Sequence, residues 1–238
     1  MLLIGIDFET TGMSPEKHAV IEVGAILWDT DLRAPIRVIG YLVNPRKDCE
    51  WDPEAMAKNG LSQELCQKYG YEDERALKQL LVWYQQAEIA CAHNGTKFDR
   101  PFFSAWCAHY GYDDQPKKLW IDTDTDIDFS RGQSHHLDYM AADHRFLNPF
   151  PHRAVFDVMT MLKIMDEHDC AKIIESAKEP KIIVQALVSF ENNNLARVRN
   201  YRPHYEDGRF KAWLKTINQR DYAKEAEEAG FPVRIFKS

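Results

Sequence analysis

An α/β fold with a small C-terminal α+β module is predicted by three features of the chain. Residues 2–8, 20–28 and 36–43 are β-rich runs separated by turn chemistry, Gly12, Ser14 and Pro15 forming the first turn, which reads as a three-strand meander. Farther along, segments of helical spacing alternate with short apolar runs at 89–92 and 119–122. The charge then changes sign near residue 180. Residues 1–179 hold 19 Lys and Arg against 30 Asp and Glu, whereas residues 180–238 hold 11 against 7. An acidic body at 1–175 and a basic module at 181–238 follow.

Size and composition agree. The 238 residues suffice for one domain plus an appendage, and 45% apolar with 28% charged residues is the balance of a globular chain. The apolar start is cut by Asp7 and Glu9, too early for a signal peptide, and no later stretch is long enough to span a bilayer. A cytoplasmic protein without a membrane partner is expected. Five cysteines with no C-x-x-C pair indicate neither a disulfide framework nor a zinc site.

The first strand ends in DFETTG, residues 7–12. Side chains alternate on a strand, so Asp7 and Glu9 share a face and Phe8 takes the other. Carboxylates that close raise each other's pKa unless a cation lies between them, and a hard divalent ion is the usual one. Thr10, Thr11 and Gly12 read as a turn with exposed backbone donors for a phosphate or sugar. In the second run, Glu22 is expected to form a salt link to a neighbouring strand.

Residues 44–61 read as loop, 62–69 and 72–86 as helices. The strand at 89–92 leads into HNGTKFD, residues 93–99, with Asp99 opening a helix that carries Phe102, Phe103 and Trp106. The run DTDTDID, 122–128, is no calcium loop. With Asp122 first, Ile127 falls where such a loop needs Gly, and Gln133 where it needs Glu. A solvated acidic loop is expected, followed by a helix from His135 and His136 to about Asp143. In PHRAVFDVMTML, 151–162, His152 and Asp157 stand about 140° apart on an ideal helix. They converge if His152 precedes the helix and Asp157 lies within it. A base on the loop beside a rigid acid suits metal-assisted hydrolysis. Residues 176–181 read as a linker, and a strand at 182–190 should open the basic module.

Acid-x-acid on the first strand, an Asp opening a central helix, and H-x-x-x-x-D on a late one occur here in order. Together they resemble the DEDDh (DnaQ-like) 3'-to-5' exonucleases, the group that contains the proofreading subunit of bacterial replicative DNA polymerase. The resemblance covers roughly residues 1–170, and only segment 123–134 is longer and more acidic than the family pattern. It implies a ribonuclease-H-like core, a mixed five-stranded sheet flanked by helices. It also implies two divalent cations, Mg2+ or Mn2+, with Asp7, Glu9, Asp99 and Asp157 as the metal-site acids and His152 as general base. Thr10, Thr11, Gly12, Met13, Asn94 and Phe98 fall where the family holds the terminal nucleotide. The implied substrate is nucleic acid with a free 3' end, single-stranded DNA ahead of RNA. A homodimer or a polymerase or repair partner is compatible with it. More loosely, the tail resembles a small module appended to other DNA-processing proteins. Arg197, Arg199, Arg202, Lys211 and Lys215 are its candidate phosphate contacts, with Tyr201 and Trp213 either stacking on bases or filling the module's core.

Overall fold

Alternation along β1 (Leu2–Thr10) decides which helices cover which face of the main sheet. The computed structural model of the chain describes residues 1–112, 117–127, 129, 135–189 and 193–236. Asp128, Gln133 and the rest of 130–134, and Phe190 at the end of the expected strand, lie outside the described residues. The antiparallel meander is present as β1, β2 (Val20–Asp29) and β3 (Ala34–Asn44). Next come α1 (Pro53–Asn59), α2 (Gln63–Tyr69), β4 (Tyr71–Glu72), α3 (Asp73–Gln86), β5 (Ile89–Ala92), α4 (Asp99–His109) and β6 (Leu119–Asp122). The main sheet runs β4-β3-β2-β1-β5-β6, with β5 parallel to both β1 and β6. It is thus a mixed sheet of six strands rather than five, the extra one being the two-residue β4 at the edge beside β3.

Ile4, Ile6 and Phe8 face one side of β1, where they meet Leu77 and Leu80 of α3 and Phe102 and Trp106 of α4. Leu3 faces the other side, toward Val158, Met161 and Leu162 of α6 (Ala154–Asp166). The expected loop at 44–61 contains α1. Its signals are plain in retrospect: Asp52 caps the Glu54 N–H at 2.9 Å, Pro53 opens the helix, and Gly60 closes it at φ 69°.

Three glycines let α6 lie close against the sheet. A Cβ on Gly24 would sit 2.2 Å from the Ala154 carbonyl carbon, and one on Gly5 would sit 2.7 Å from Val158 Cγ1. Gly24 pairs with Asp7 on one side and Gly40 on the other, so the trough runs across three strands. Because the obstacle at Gly24 is backbone, α6 must move to admit a methyl group. Gly24→Ala should therefore destabilise the protein by about 2–3 kcal/mol in chemical denaturation. Gly40→Ala, which meets only the Val155 side chain at 3.0 Å, should cost clearly less. Equal costs would show that backbone contact does not seat α6.

Half of the expected linker at 176–181 is the end of a helix, and its last residue opens a strand. Through α5 (Leu137–Asp143), α6 and α7 (Cys170–Lys178) the chain runs almost directly into β7 (Lys181–Ala186), with only Glu179 and Pro180 between. Ser176 is buried in α7, its hydroxyl accepting from Asn218 Nδ2 at 3.1 Å. The chain continues through α8 (Asn193–Val198), β8 (Arg202–Glu206), β9 (Arg209–Asn218), α9 (Tyr222–Glu228) and β10 (Val233–Ile235). A second sheet results, antiparallel in the order β10-β7-β9-β8, around Val184, Ala196, Tyr201, Trp213 and Ile217. Among the described residues no helix is long and apolar enough to cross a membrane.

Candidate active site

The carboxylates gather where β1 ends and α6 begins. Asp7 lies opposite Gly24, over which the first turn of α6 passes, and Asp157 belongs to that turn. One carboxylate oxygen each from Asp7, Glu9 and Asp157 fall within 4.8 Å of one another, and all three residues are partly buried. Glu22, paired with Glu9 across the strands, fixes the helix end. It accepts from Arg153 Nη2 at 2.7 Å and from the Ala154 N–H at 3.3 Å. The expected salt link of Glu22 therefore exists, but its partner precedes a helix rather than lying on a strand. An uncapped helix N-terminus attracts a carboxylate more strongly than a neighbouring strand does.

Asp99 approaches from the other side. Where β5 stops at Ala92, β1 runs on, and the Phe8 N–H donates to Asp99 Oδ1 at 3.0 Å. Burial at 1% exposure makes that bond the anchor of the α4 N-terminus against Asp7. His152 lies in the turn before α6, with its ring exposed and its backbone left-handed at φ 61°. Sequence reasoning missed Asn148, whose Nδ2 donates to Asp157 Oδ1 at 2.6 Å and so orients that carboxylate. A lone Asn in a loop carries no pattern that would reveal it.

These acids repel one another in a half-dry place. Burial, and then Asp99, Asp157 and Glu9, push Asp7 well above the ordinary carboxylate range. Glu9 is pushed to about 8 by burial and then by Asp157 and Glu22, and Asp99 to about 8 chiefly by burial. Burial also lifts Asp157 to about 6, against the opposing bond from Asn148. His152 moves the other way, its pKa lowered by burial and by the Lys58 charge. Converging hard oxygen donors that are costly to ionise alone fit a divalent cation, which would relieve burial and repulsion together.

The other expected contacts divide. Met13 is exposed at 74%, and Asn94 and Phe98 are partly buried. Thr10, Thr11 and Gly12 are buried and turned inward. The Thr10 hydroxyl donates to the Gly12 carbonyl at 2.6 Å, and the Thr11 N–H donates to the Ala19 carbonyl at 2.9 Å. The expected row of exposed donors is thus corrected at Thr11, whose N–H closes the turn instead. In the tail, Arg199 is buried on Glu225, with Nη2 to Oε2 at 3.0 Å, and Tyr201 and Trp213 are 2% and 4% exposed. Those three build the module. Arg197 lies over the Trp213 ring at 5.3 Å, Lys211 reaches Glu206 at 3.4 Å, Lys215 reaches Glu225 at 3.2 Å, and Arg202 pairs with Asp124.

The profile of the RNase T family, described as exonuclease, matches residues 4–165, which include Asp7, Glu9, Asp99, His152 and Asp157. The chain belongs to this exonuclease family. No curated protein matches it significantly. Among solved structures, it is similar to E. coli exonuclease I in complex with a dT13 oligonucleotide, with TM-score 0.62, 13% identity, and coverage of 83% of this chain and 50% of that one. The zinc-bound form of the E. coli exonuclease I complex with single-stranded DNA gives TM-score 0.67 at 12% identity, over 97% of this chain and 68% of that one. The nuclease domain of 3'hExo, a DEDDh family member bound to rAMP, gives 0.56 at 20% identity, over 70% and 90%. This chain spans about half the length of the first exonuclease I chain. At these identities the likeness is one of fold, here a ribonuclease-H-like mixed sheet.

Proposed function

We propose that this protein is a metal-dependent 3'-to-5' exonuclease that removes nucleoside 5'-monophosphates one at a time from DNA 3' ends. The observation that carries the reading is the meeting of Asp7, Glu9 and Asp157 within 4.8 Å, with Asp99 bonded to the same strand end. Asp7, Glu9 and Asp157 would hold the metal, with Asp99 completing the set for a second ion. Two divalent cations there would neutralise the scissile phosphate and activate water for in-line attack. The chain's own residues supply the rest. Asn148 and the α6 N-terminus aim Asp157, and the Phe8 N–H aims Asp99. His152, whose lowered pKa favours the neutral imidazole, would take the proton from the attacking water. Met13, Asn94 and Phe98 are the candidate contacts for the terminal nucleotide.

DNA is favoured by the basic module and by the oligonucleotides that the exonuclease I structures hold. RNA is the alternative, because one catalytic site serves both and the difference lies at the 2'-hydroxyl. Matched 3'-labelled and 5'-labelled DNA and RNA oligonucleotides, incubated with Mg2+ or Mn2+, decide it. Immediate release of labelled mononucleotide from 3'-labelled DNA, with a descending ladder from 5'-labelled DNA, is expected. Release from the 5' end, or full activity in excess EDTA, would end the proposal.

A further inference from the structure

The three acids of 122–126, expected to be solvated, are 3%, 6% and 6% exposed at Asp122, Asp124 and Asp126. Each faces a different partner. The Asp122 carboxylate accepts the N–H groups of Asn94 at 2.8 Å and Thr96 at 3.0 Å, clamping the loop that leads into Asp99. Asn94 stands at φ 58°, a left-handed conformation that Asn adopts more readily than most residues. Asp124 pairs with Arg202 of β8 and accepts from His135 Nδ1 at 2.8 Å. Burial would raise that carboxyl, but His135 and Arg202 outweigh it and hold it below the ordinary range. Asp126 pairs with Lys181 of β7, and its other oxygen accepts the Asp122 N–H at 2.7 Å.

A second strand of bonds runs beside the first. His93 Nε2 donates to the His135 carbonyl at 2.8 Å, which leaves Nδ1 to accept from the Thr123 hydroxyl at 2.9 Å. The 122–126 segment is therefore a bracket, bonded on one side to the loop 93–98 and on the other to the C-terminal module. Arg202 is the outer end of its shortest path. From its guanidinium the contacts pass through Asp124 to the Asp124 N–H, which donates to Asp122 Oδ1 at 3.1 Å, and on to Asn94 and Thr96.

We propose that Arg202 is a positioning residue, which through Asp124 and this bracket holds the loop 93–98, and so Asp99, in register with Asp7. The role rests on the exonuclease reading, and it differs from contact with a phosphate. Misplacing an acid by a fraction of an ångström slows the chemistry on every substrate, whereas losing a phosphate contact weakens only strands long enough to reach the module.

The test uses the full chain with Arg202→Ala, Arg202→Lys, Asp124→Asn, and Arg220→Ala as the control. Arg220 lies on the same module and pairs with Glu179, outside the bracket. For Arg202→Ala and Asp124→Asn, kcat on a dinucleotide should fall about 10-fold to 100-fold with KM nearly unchanged. Amide exchange at Asn94 and Thr96 should rise at least about tenfold in both variants. Arg202→Lys should recover most of both losses, and Arg220→Ala should leave both at the wild-type level. Unchanged dinucleotide kcat with a raised KM for long strands would overturn the proposal in favour of a phosphate contact. So would unchanged exchange at Asn94 and Thr96. Should Arg202→Ala fail to fold, Asp124→Asn and Arg202→Lys decide by the same readouts. A wild-type protein inactive on every substrate would sink the exonuclease reading alone, and amide exchange would still decide the bracket.

Discussion

Asp7→Asn is expected to lower turnover by about 1,000-fold or more, the equivalent of about 4 kcal/mol of transition-state stabilisation, while making the metal-free protein more stable. Both effects have one cause. Asp7 bears the cost of its own burial and then the repulsion of Asp99, Asp157 and Glu9. Asn keeps the shape and removes the charge. The metal-free wild type binds extra protons on Asp7, Glu9, Asp99 and Asp157 when folded, because their pKa values lie above those of the unfolded chain. Such groups stabilise the fold fully below their unfolded pKa, and that contribution is lost as pH rises through the folded value. In EDTA the wild-type melting temperature should therefore fall as pH climbs from about 5 to about 8.5, across the folded values near 6 and 8. The advantage of Asp7→Asn should widen over the same interval. Mg2+ should raise the melting temperature of the wild type much more than that of the variant. Differential scanning fluorimetry with and without EDTA reads all of this. If Asp7→Asn were destabilised in EDTA at pH 8, mutual repulsion would not be the dominant feature of the site.

How much of this was legible beforehand depended on where each residue's partners lie. Asp7 and Glu9 could be paired from strand alternation alone, because that relation is local, and helix geometry required His152 to precede the helix that holds Asp157, as it does. Asp99 needed only the start of α4. The opposite holds for Gly24, whose meaning comes from its register against Asp7 and Gly40 and from a helix more than 100 residues later. Asp122, Asp124 and Asp126 look like a solvated loop until Asn94, Arg202 and Lys181 come into view. Asn148 is a single amide whose value exists only beside Asp157. In the tail, Arg199 and Trp213 have the composition of a nucleic-acid surface but are spent on a small core, as a module of that size requires. Composition fixes only the net sign of residues 180–238, whereas structure distributes those charges between internal pairs and the outer surface.

The remaining large effect concerns the base. His152 is an exposed residue, and its backbone at φ 61° is a conformation that Asn tolerates far better than Ala. His152→Asn is accordingly the cleaner probe, since it removes the imidazole while keeping a side chain suited to the left-handed backbone. The substitution should lower kcat by about 100-fold to 10,000-fold, the range for a positioned general base. Divalent-cation affinity should stay near the wild-type value, because Asp7, Glu9 and Asp157 remain. The pH profile separates a base from a merely structural residue. With saturating Mg2+ the carboxylates are held ionised, so the acid limb of wild-type kcat should report His152, at a pH below the ordinary histidine value because burial and Lys58 disfavour the imidazolium. That limb should disappear in His152→Asn. Near-wild-type turnover at pH 7 would remove His152 from the chemistry. A loss of metal affinity as severe as that of Asp7→Asn would make it a ligand instead of a base.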